Sequence, residues 1–197
     1  MTWVKVCGLS TPQDVARAEA AGADAVGFVL ASSPRQVSVG LATELISGAS
    51  SLTVLVTADL DPDEVERLLS QTGADALQPH GRMGIEAGRV AHRLGKTVIF
   101  PVSAGEPTGG IDHDFLLLLD TPSESHHGGT GRTFDWRLAD DVDRPIVLAG
   151  GLGPGNVAAA ISATSPWGVD ASSGLESAPG VKDAEKVRLY VERSKSE

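Results

Sequence analysis

Short apolar runs alternate along the chain with segments whose apolar positions recur at helical spacing. The first run predicts a strand at Val4–Cys7, and Thr11 with Pro12 then opens a helix that ends at Gly22. Further strands are predicted at 24–30, 52–57, 75–78, 96–102, 115–119, 146–148 and 168–171. Further helices are predicted at 39–49, 61–73, 84–94, 156–161 and 183–194, the fourth of them with Pro154 near its start.

The order of these elements predicts a closed barrel. Strands that alternate with helices form parallel sheets with right-handed crossovers, and eight strands favour a closed barrel over an open doubly wound sheet. The predicted fold is therefore α/β, a single-domain (β/α)8 TIM barrel over residues 1–197. The glycine-rich segment 104–112 holds at most a degenerate helix, so the fifth βα unit is expected to be incomplete.

Composition narrows the functional class. The formal net charge of −10 argues against a nucleic-acid partner, which requires a basic face. The single cysteine, Cys7, cannot form an internal disulfide, and the N-terminus lacks the pattern of a signal peptide. No apolar run reaches the roughly 18 residues of a membrane span. We therefore expect a cytoplasmic protein that acts on a small molecule, without membrane or nucleic acid.

Chemically competent side chains follow the predicted strands. Active sites of (β/α)8 barrels lie at the C-terminal strand ends, where this chain places Cys7, Arg35, His80, Asp120 and Asp170. A thiol can serve as general base and a carboxylic acid as general acid. Four of these residues also have a purely structural interpretation: Cys7 as a small buried hydrophobe, Asp120 as a turn residue, His80 as a partner of nearby backbone, and Arg35 as a solvated loop residue. Their joint placement at one rim favours a catalytic site.

Small residues follow the last two strands of the predicted barrel. Gly150 and Gly151 end strand seven, and Ser172, Ser173 and Gly174 end strand eight. Exposed backbone N–H groups suit a phosphate, and these two loops are the usual phosphate site of a barrel. We therefore expect a phosphorylated ligand.

Other motifs give no cofactor or metal site. His126 and His127 are adjacent but lack a third ligand at useful spacing, so no metal is expected there. The run Gly128–Thr133 lacks the Gly-Lys-Ser/Thr ending of a phosphate-binding P-loop.

The chain also resembles a known enzyme family over nearly its whole length. The motifs that carry the resemblance are, in order, VKVCGLS, GADAVGFVLASSPRQVS, LQPHG, DTPSESHHGGTGRTFDW, PIVLAGGLGPGNVAAAI and GVDASSGLESAPGVKDAEKV. Together they are similar to phosphoribosylanthranilate isomerase of tryptophan biosynthesis. Two positions depart from the family pattern: Pro79 stands where an aliphatic residue is usual, and Thr57 where asparagine is more frequent. Proline removes one donor from the strand ladder next to His80.

The resemblance implies a cofactor-free and metal-free Amadori rearrangement. N-(5-phosphoribosyl)anthranilate would become 1-(2-carboxyphenylamino)-1-deoxyribulose 5-phosphate. Asp120 would be the general acid that opens the ring, and Cys7 the general base that removes the C2′ proton. Arg35 would bind the anthranilate carboxylate, with His80 and Asp170 beside the sugar. The phosphate would bind at Gly150, Gly151, Ser172, Ser173 and Gly174.

Two other functions compete with this interpretation. A non-catalytic phosphosugar-binding barrel would keep the phosphate site, but the retained pair Cys7 and Asp120 speaks against it. Another phosphate-handling barrel enzyme of tryptophan or histidine biosynthesis would need different strand-end residues. The only strand-end lysine is Lys5, and Cys7 stands where a histidine-pathway isomerase would have an aspartate. Monomer and homodimer both remain open.

Overall fold

The computed structural model describes residues 1–120, 136–139 and 142–196, and it contains a closed barrel of parallel strands. The barrel strands are β1 (Trp3–Cys7), β2 (Ala25–Val29), β3 (Leu52–Ala58), β4 (Ala76–His80), β5 (Thr97–Ser103), β6 (Leu116–Asp120), β7 (Ile146–Leu148) and β8 (Gly168–Ala171). Strand β8 pairs with β1 and closes the barrel, with Lys5 opposite Asp170. The predicted (β/α)8 barrel is confirmed.

Helices cover most of the barrel. They are α1 (Pro12–Ala20), α2 (Val39–Gly48), α3 (Pro62–Thr72), α4 (Gly84–Arg93), α5 (Val157–Thr164) and α6 (Ala184–Lys195). Short 3₁₀ turns lie at Trp136–Ala139 and Ser173–Leu175, and β9 (Glu176–Ala178) pairs with β10 (Val181–Lys182) in a small hairpin after β8. Local sequence sets the helix ends: the Thr11 hydroxyl caps α1, and Gly73, at φ 74°, ends α3.

The fifth βα unit lacks its helix, as predicted. Residues 104–115 join β5 to β6 through turns, and Phe115 packs against Phe100 in place of a covering helix. Glycines and Pro107 interrupt any apolar face of helical period in this segment.

Several element bounds differ from the sequence prediction by a few residues, and two of them lie beside the site. Strand β4 continues past Gln78 through Pro79 to His80, because its ladder with β3 continues to Ala58. The ladder of β4 with β5 ends earlier, at Leu77, so the missing proline N–H interrupts no pairing on that side. Helix α5 begins at Val157, one residue after the predicted start. The turn before it is held by Asn156, whose side chain accepts from Gly153 N–H and donates to Gly151 O.

Alternate residues of each strand face two different cores. Val4 and Val6 of β1 belong to the layer between strands and helices, whereas Cys7 belongs to the cluster inside the barrel. Lys5, two residues before Cys7, faces the same interior and is completely buried. Among the helices of the described ranges, none is both long and apolar enough to cross a bilayer.

Candidate active site

One cavity opens at the C-terminal ends of the barrel strands and brings together most of the predicted site. Its lining includes the six predicted residues Cys7, Arg35, His80, Asp120, Asp170 and Ser172. These side chains come from β1, β4, β6 and β8 and from the loops after β2 and β8. The structure therefore brings these six predicted residues together in one cavity, and their roles stay a prediction.

The other predicted phosphate residues lie beside the cavity and are not part of its lining. Gly150 and Gly151 both adopt left-handed backbone conformations, with φ of 83° and 62°. A Cβ on Gly174 would lie 2.0 Å from the carbonyl oxygen of Leu152, so the loops after β7 and β8 pack directly on each other. Ser173 begins the 3₁₀ turn between them and the β9–β10 hairpin. Phosphate binding at these four residues stays a prediction.

Cys7 lies at the end of β1, and its side chain is in the barrel interior. Only 6% of its surface is exposed, and the Ser172 hydroxyl donates to its carbonyl oxygen at 3.0 Å. Burial raises the pKa of the thiol, whereas the positive charges of Lys5 and Lys182 lower this pKa and so act against burial. The thiolate that a base requires is therefore favoured only by these buried cations.

Lys5 is a functional candidate to which sequence reasoning gave no role. Its Nζ donates to Gln78 Oε1 and to Asp170 Oδ2, both at 2.9 Å. Burial disfavours the ammonium, but the Asp170 carboxylate and the Cys7 sulfur outweigh it and raise the pKa of Lys5 above its ordinary value. The signal was present in the sequence: a lysine at an inward-facing position of an apolar strand needs a buried partner.

His80 is linked to this lysine through Gln78. Gln78 Nε2 lies 3.0 Å from His80 Nε2, while its Oε1 accepts from Lys5. The three side chains stand on two strands, β1 and β4, that face each other across the barrel.

Arg35 is held by Glu176, which also binds Lys182, and sequence reasoning gave neither of these two residues a role. Its Nε and Nη2 donate to the two oxygens of Glu176 at 2.6 and 2.8 Å. Lys182 Nζ donates to Glu176 Oε1 at 2.8 Å and to the carbonyl oxygen of Ser172 at 2.9 Å. Although burial raises the pKa of Glu176, Arg35 and Lys182 hold it below its ordinary value. Glu176 and Lys182 both belong to the hairpin formed by the GLESAPGVKD motif.

Asp120 ends β6 on the side of the cavity across from β1. Its backbone carbonyl accepts from Ala104 N–H at 3.0 Å, and its Cα is paired with Ser103 of β5. The carboxyl group and the Cys7 thiol line the same cavity from strands one and six of the barrel. The arrangement can deliver a proton from one side of a bound molecule and remove one from the other.

No group of three metal-ligating side chains occurs within residues 1–120, 136–139 and 142–196. His126 and His127, the Gly128–Thr133 run and the Phe134-Asp135 part of the FDW motif lie outside the described residues. The expectation of no metal there stays a prediction.

Comparison with known proteins connects this site to one family. Residues 4–193 match the family model of N-(5'phosphoribosyl)anthranilate (PRA) isomerase. The chain is 45% identical to the N-(5'-phosphoribosyl)anthranilate isomerase of Rubrobacter xylanophilus, with all of both chains covered. It is 43% identical to the isomerase of Halobacterium salinarum, over 98% of this chain and 96% of the relative.

Solved structures agree with the sequence relatives. The phosphoribosylanthranilate isomerase of Thermus thermophilus superposes with a TM-score of 0.88 at 32% identity and 99% coverage of both chains. A phosphoribosylanthranilate isomerase in complex with reduced 1-(o-carboxyphenylamino)-1-deoxyribulose 5-phosphate gives 0.82 at 31% identity over the full length of both. Monomers generated from the dimeric isomerase of Thermotoga maritima give 0.83 at 32%, again over both full chains. The chain belongs to the N-(5'-phosphoribosyl)anthranilate isomerase family.

Proposed function

We propose that this protein catalyses the Amadori rearrangement of N-(5-phosphoribosyl)anthranilate to 1-(2-carboxyphenylamino)-1-deoxyribulose 5-phosphate. The observation that carries the proposal is the shared cavity of Cys7 and Asp120, in a barrel of the isomerase family. The reaction requires one proton to be delivered to an oxygen and another to be removed from carbon. A carboxyl group and a thiol on facing strands fit these two tasks.

Asp120 is the proposed general acid. It gives its proton to the furanose ring oxygen as the C1′–O bond breaks, and the lone pair of the anthranilate nitrogen forms the C1′=N double bond of a Schiff base. Cys7, as thiolate, then takes the C2′ proton, and the electrons of the C–H bond move through C1′ to nitrogen. The resulting enolamine tautomerises to the aminoketone, so the substrate and product are isomers and no oxidant or cofactor takes part.

The surrounding residues would hold the two ends of the substrate. Arg35 would bind the anthranilate carboxylate, and its contact with Glu176 supports this role because it fixes the plane of the guanidinium. His80 and Asp170 would line the sugar. The phosphate would bind at Gly150, Gly151, Ser172, Ser173 and Gly174, of which Ser172 lines the cavity. The relative that holds a reduced aminoribulose phosphate supports a phosphosugar ligand of this class.

The proposal extends to the whole chain. Residues 1–197 would form one domain, whose described part brings Cys7 and Asp120 to one cavity. Monomer and homodimer are both compatible with this, and a relative from Thermotoga maritima is dimeric. Sedimentation of the purified protein distinguishes them. The cytoplasmic location expected from the sequence stays a prediction.

The test is a fluorescence assay in which phosphoribosylanthranilate is made in situ and its consumption is followed. We expect turnover by the wild type and a loss of about 10²–10⁴-fold in kcat for Cys7→Ala and for Asp120→Asn. Asp112→Asn, an exposed carboxylate that pairs with Arg89 on the surface, is the matched control and should keep full activity. Binding of the product analogue without turnover by the wild type would instead support a phosphosugar-binding barrel.

A further inference from the structure

A lysine ammonium lies inside the barrel, directly below the proposed catalytic cavity. The Lys5 side chain is completely buried, and its two hydrogen-bond partners, Gln78 and Asp170, both line the cavity. An unpaired charge in such a place would be strongly unfavourable, and even a paired one is often no more stable than apolar packing. Stability therefore does not explain why the barrel interior holds this charge.

The first neighbour of Lys5 is the proposed base. Gly27 on β2 lies beside both side chains: a Cβ placed on it would be 2.8 Å from Cys7 Sγ and 3.3 Å from Lys5 Cε. The bare glycine thus leaves one shared space in which the lysine stem and the thiol approach each other. A cation next to sulfur favours the thiolate over the thiol.

The second neighbour of Lys5 sets the protonation of His80. An ammonium has donors only, so the Gln78 atom that it contacts must be the carbonyl oxygen, and Gln78 Nε2 must be the amide NH₂. An amide NH₂ donates, so His80 Nε2, 3.0 Å away, must be its acceptor. A ring nitrogen that accepts carries no proton. This arrangement of donors requires an imidazole whose proton is on Nδ1.

We propose that Lys5 is a positioning residue of the active site, whose buried ammonium stabilises the Cys7 thiolate, fixes the Asp170 carboxylate and, through Gln78, holds His80 in the neutral Nδ1–H tautomer. One cation thereby sets the protonation or orientation of three cavity residues. The importance of the thiolate for catalysis rests on the proposed function, but the charge states themselves do not.

Other charges also face Cys7. Asp170 of β8 raises the pKa of the thiol, and Lys182 of β10 lowers it. Lys182 is paired with Glu176, and because Arg35 shares this one carboxylate, the three groups together keep a net positive charge. Asp170 is balanced in turn by Lys5. Removal of Lys5 therefore takes a positive charge away from Cys7 and leaves the negative charge of Asp170 without its partner. Both effects disfavour the Cys7 thiolate.

The experiment measures both charge states without substrate. The thiolate of Cys7, the only cysteine, is titrated by its ultraviolet absorbance and by its rate of alkylation against pH. The tautomer of His80 is read from the ¹⁵N chemical shifts of its ring. Lys5→Met should move the thiolate midpoint upward by about 1–3 pH units and leave His80 as a mixture of tautomers. Lys96→Met, at the opposite end of the barrel, is the matched control and should change neither readout.

Two further variants separate the effect of Lys5 on the Cys7 thiolate from its effect on the His80 tautomer. Gln78→Leu should leave His80 as a mixture of tautomers but keep the Cys7 thiolate midpoint within a few tenths of a pH unit of the wild-type value. Lys5→Arg retains the charge and should keep the midpoint close to that of the wild type, whether or not Lys5→Met folds. A wild-type His80 with its proton on Nε2, or a thiolate midpoint that Lys5→Met and Gln78→Leu shift equally, would overturn the proposal. Neither outcome depends on turnover, so failure of the proposed isomerase activity is recognised separately.

Discussion

The two walls of the cavity are built from different chemistry. The β1–β8 wall, with the β9–β10 hairpin behind it, is lined by two groups of paired ions. One is the buried pair Lys5–Asp170, and the other joins Glu176 to Lys182 and to the partly buried Arg35 of the loop after β2. The β5–β6 wall contributes Asp120, and its two strands are joined by a segment without a helix. Asp112 of this segment forms an ion pair with Arg89 of α4 on the protein surface. Buried charge within the described chain is thus concentrated on the side of the proposed base.

The difference between the walls follows from the charge that each proposed catalytic group must have before it reacts. A base must already bear its negative charge, and a thiolate inside an apolar barrel requires cations that are fixed in place. A general acid must carry its proton before it reacts, and a carboxyl group in that state is neutral. The ion pairs of the β1–β8 wall therefore fit the side of the cavity that holds the proposed anionic base.

The largest contrast between the walls should come from removing one charge on each. Glu176→Gln leaves Arg35 and Lys182 without their shared carboxylate, and breaking a buried ion pair typically costs about 3–5 kcal/mol. We expect a clear fall in the urea midpoint and a rise in KM, because Arg35 is no longer oriented. Glu106→Gln makes the same change in the exposed segment next to β5 and should leave both quantities unchanged. Equal effects of the two variants would remove the distinction between the walls.

A smaller contrast should come from one added methyl group. Gly27→Ala would place a Cβ 2.8 Å from Cys7 Sγ, so the thiol or Lys5 must move. Overpacking of this kind costs about 1–3 kcal/mol, and we expect kcat to fall together with stability. Gly109→Ala adds the same group on the β5–β6 side, where no atom lies within 4 Å. It should keep wild-type turnover, and retention of full activity by Gly27→Ala as well would show that the Cys7–Lys5 packing is loose.

The smallest effect should be a pH dependence of stability. Burial raises the pKa of Cys7 in the folded protein, so the folded state holds this proton more tightly than the unfolded chain. The resulting stability is complete below the pKa of an unfolded thiol and is lost as the pH rises toward the folded value. The free energy of unfolding of the wild type should therefore fall relative to that of Cys7→Ser across this alkaline range. Parallel pH curves for the two proteins would contradict a raised thiol pKa.

The fold and the outline of the site were predictable because their signals are local. Apolar runs and glycine or proline boundaries define the strands, and barrel geometry then assigns Cys7, His80 and Asp120 to one rim. The missing helix before β6 was likewise visible in the glycine-rich segment 104–112.

The ion network could not be predicted in this way because its partners are distant in sequence. Lys5 binds residues 73 and 165 positions away, and Arg35 binds a carboxylate 141 positions away. Sequence periodicity does not show which inward-facing residues of different strands meet. The hydrogen bonds of Asn156 in the turn before helix α5 are local, but they depend on a turn geometry that the pattern around Pro154 does not reveal.

The pairing of β1 with β8 also has a consequence for the order of folding. The Lys5–Asp170 contact links residues near opposite ends of the chain, and such closure carries a large entropic cost that slows folding. During synthesis, β1 emerges from the ribosome long before its partner strand exists. We therefore expect the ammonium of Lys5 to keep its hydration until β8, the strand that carries Asp170, has been made. It should lose that hydration when β1 pairs with β8 and the barrel closes.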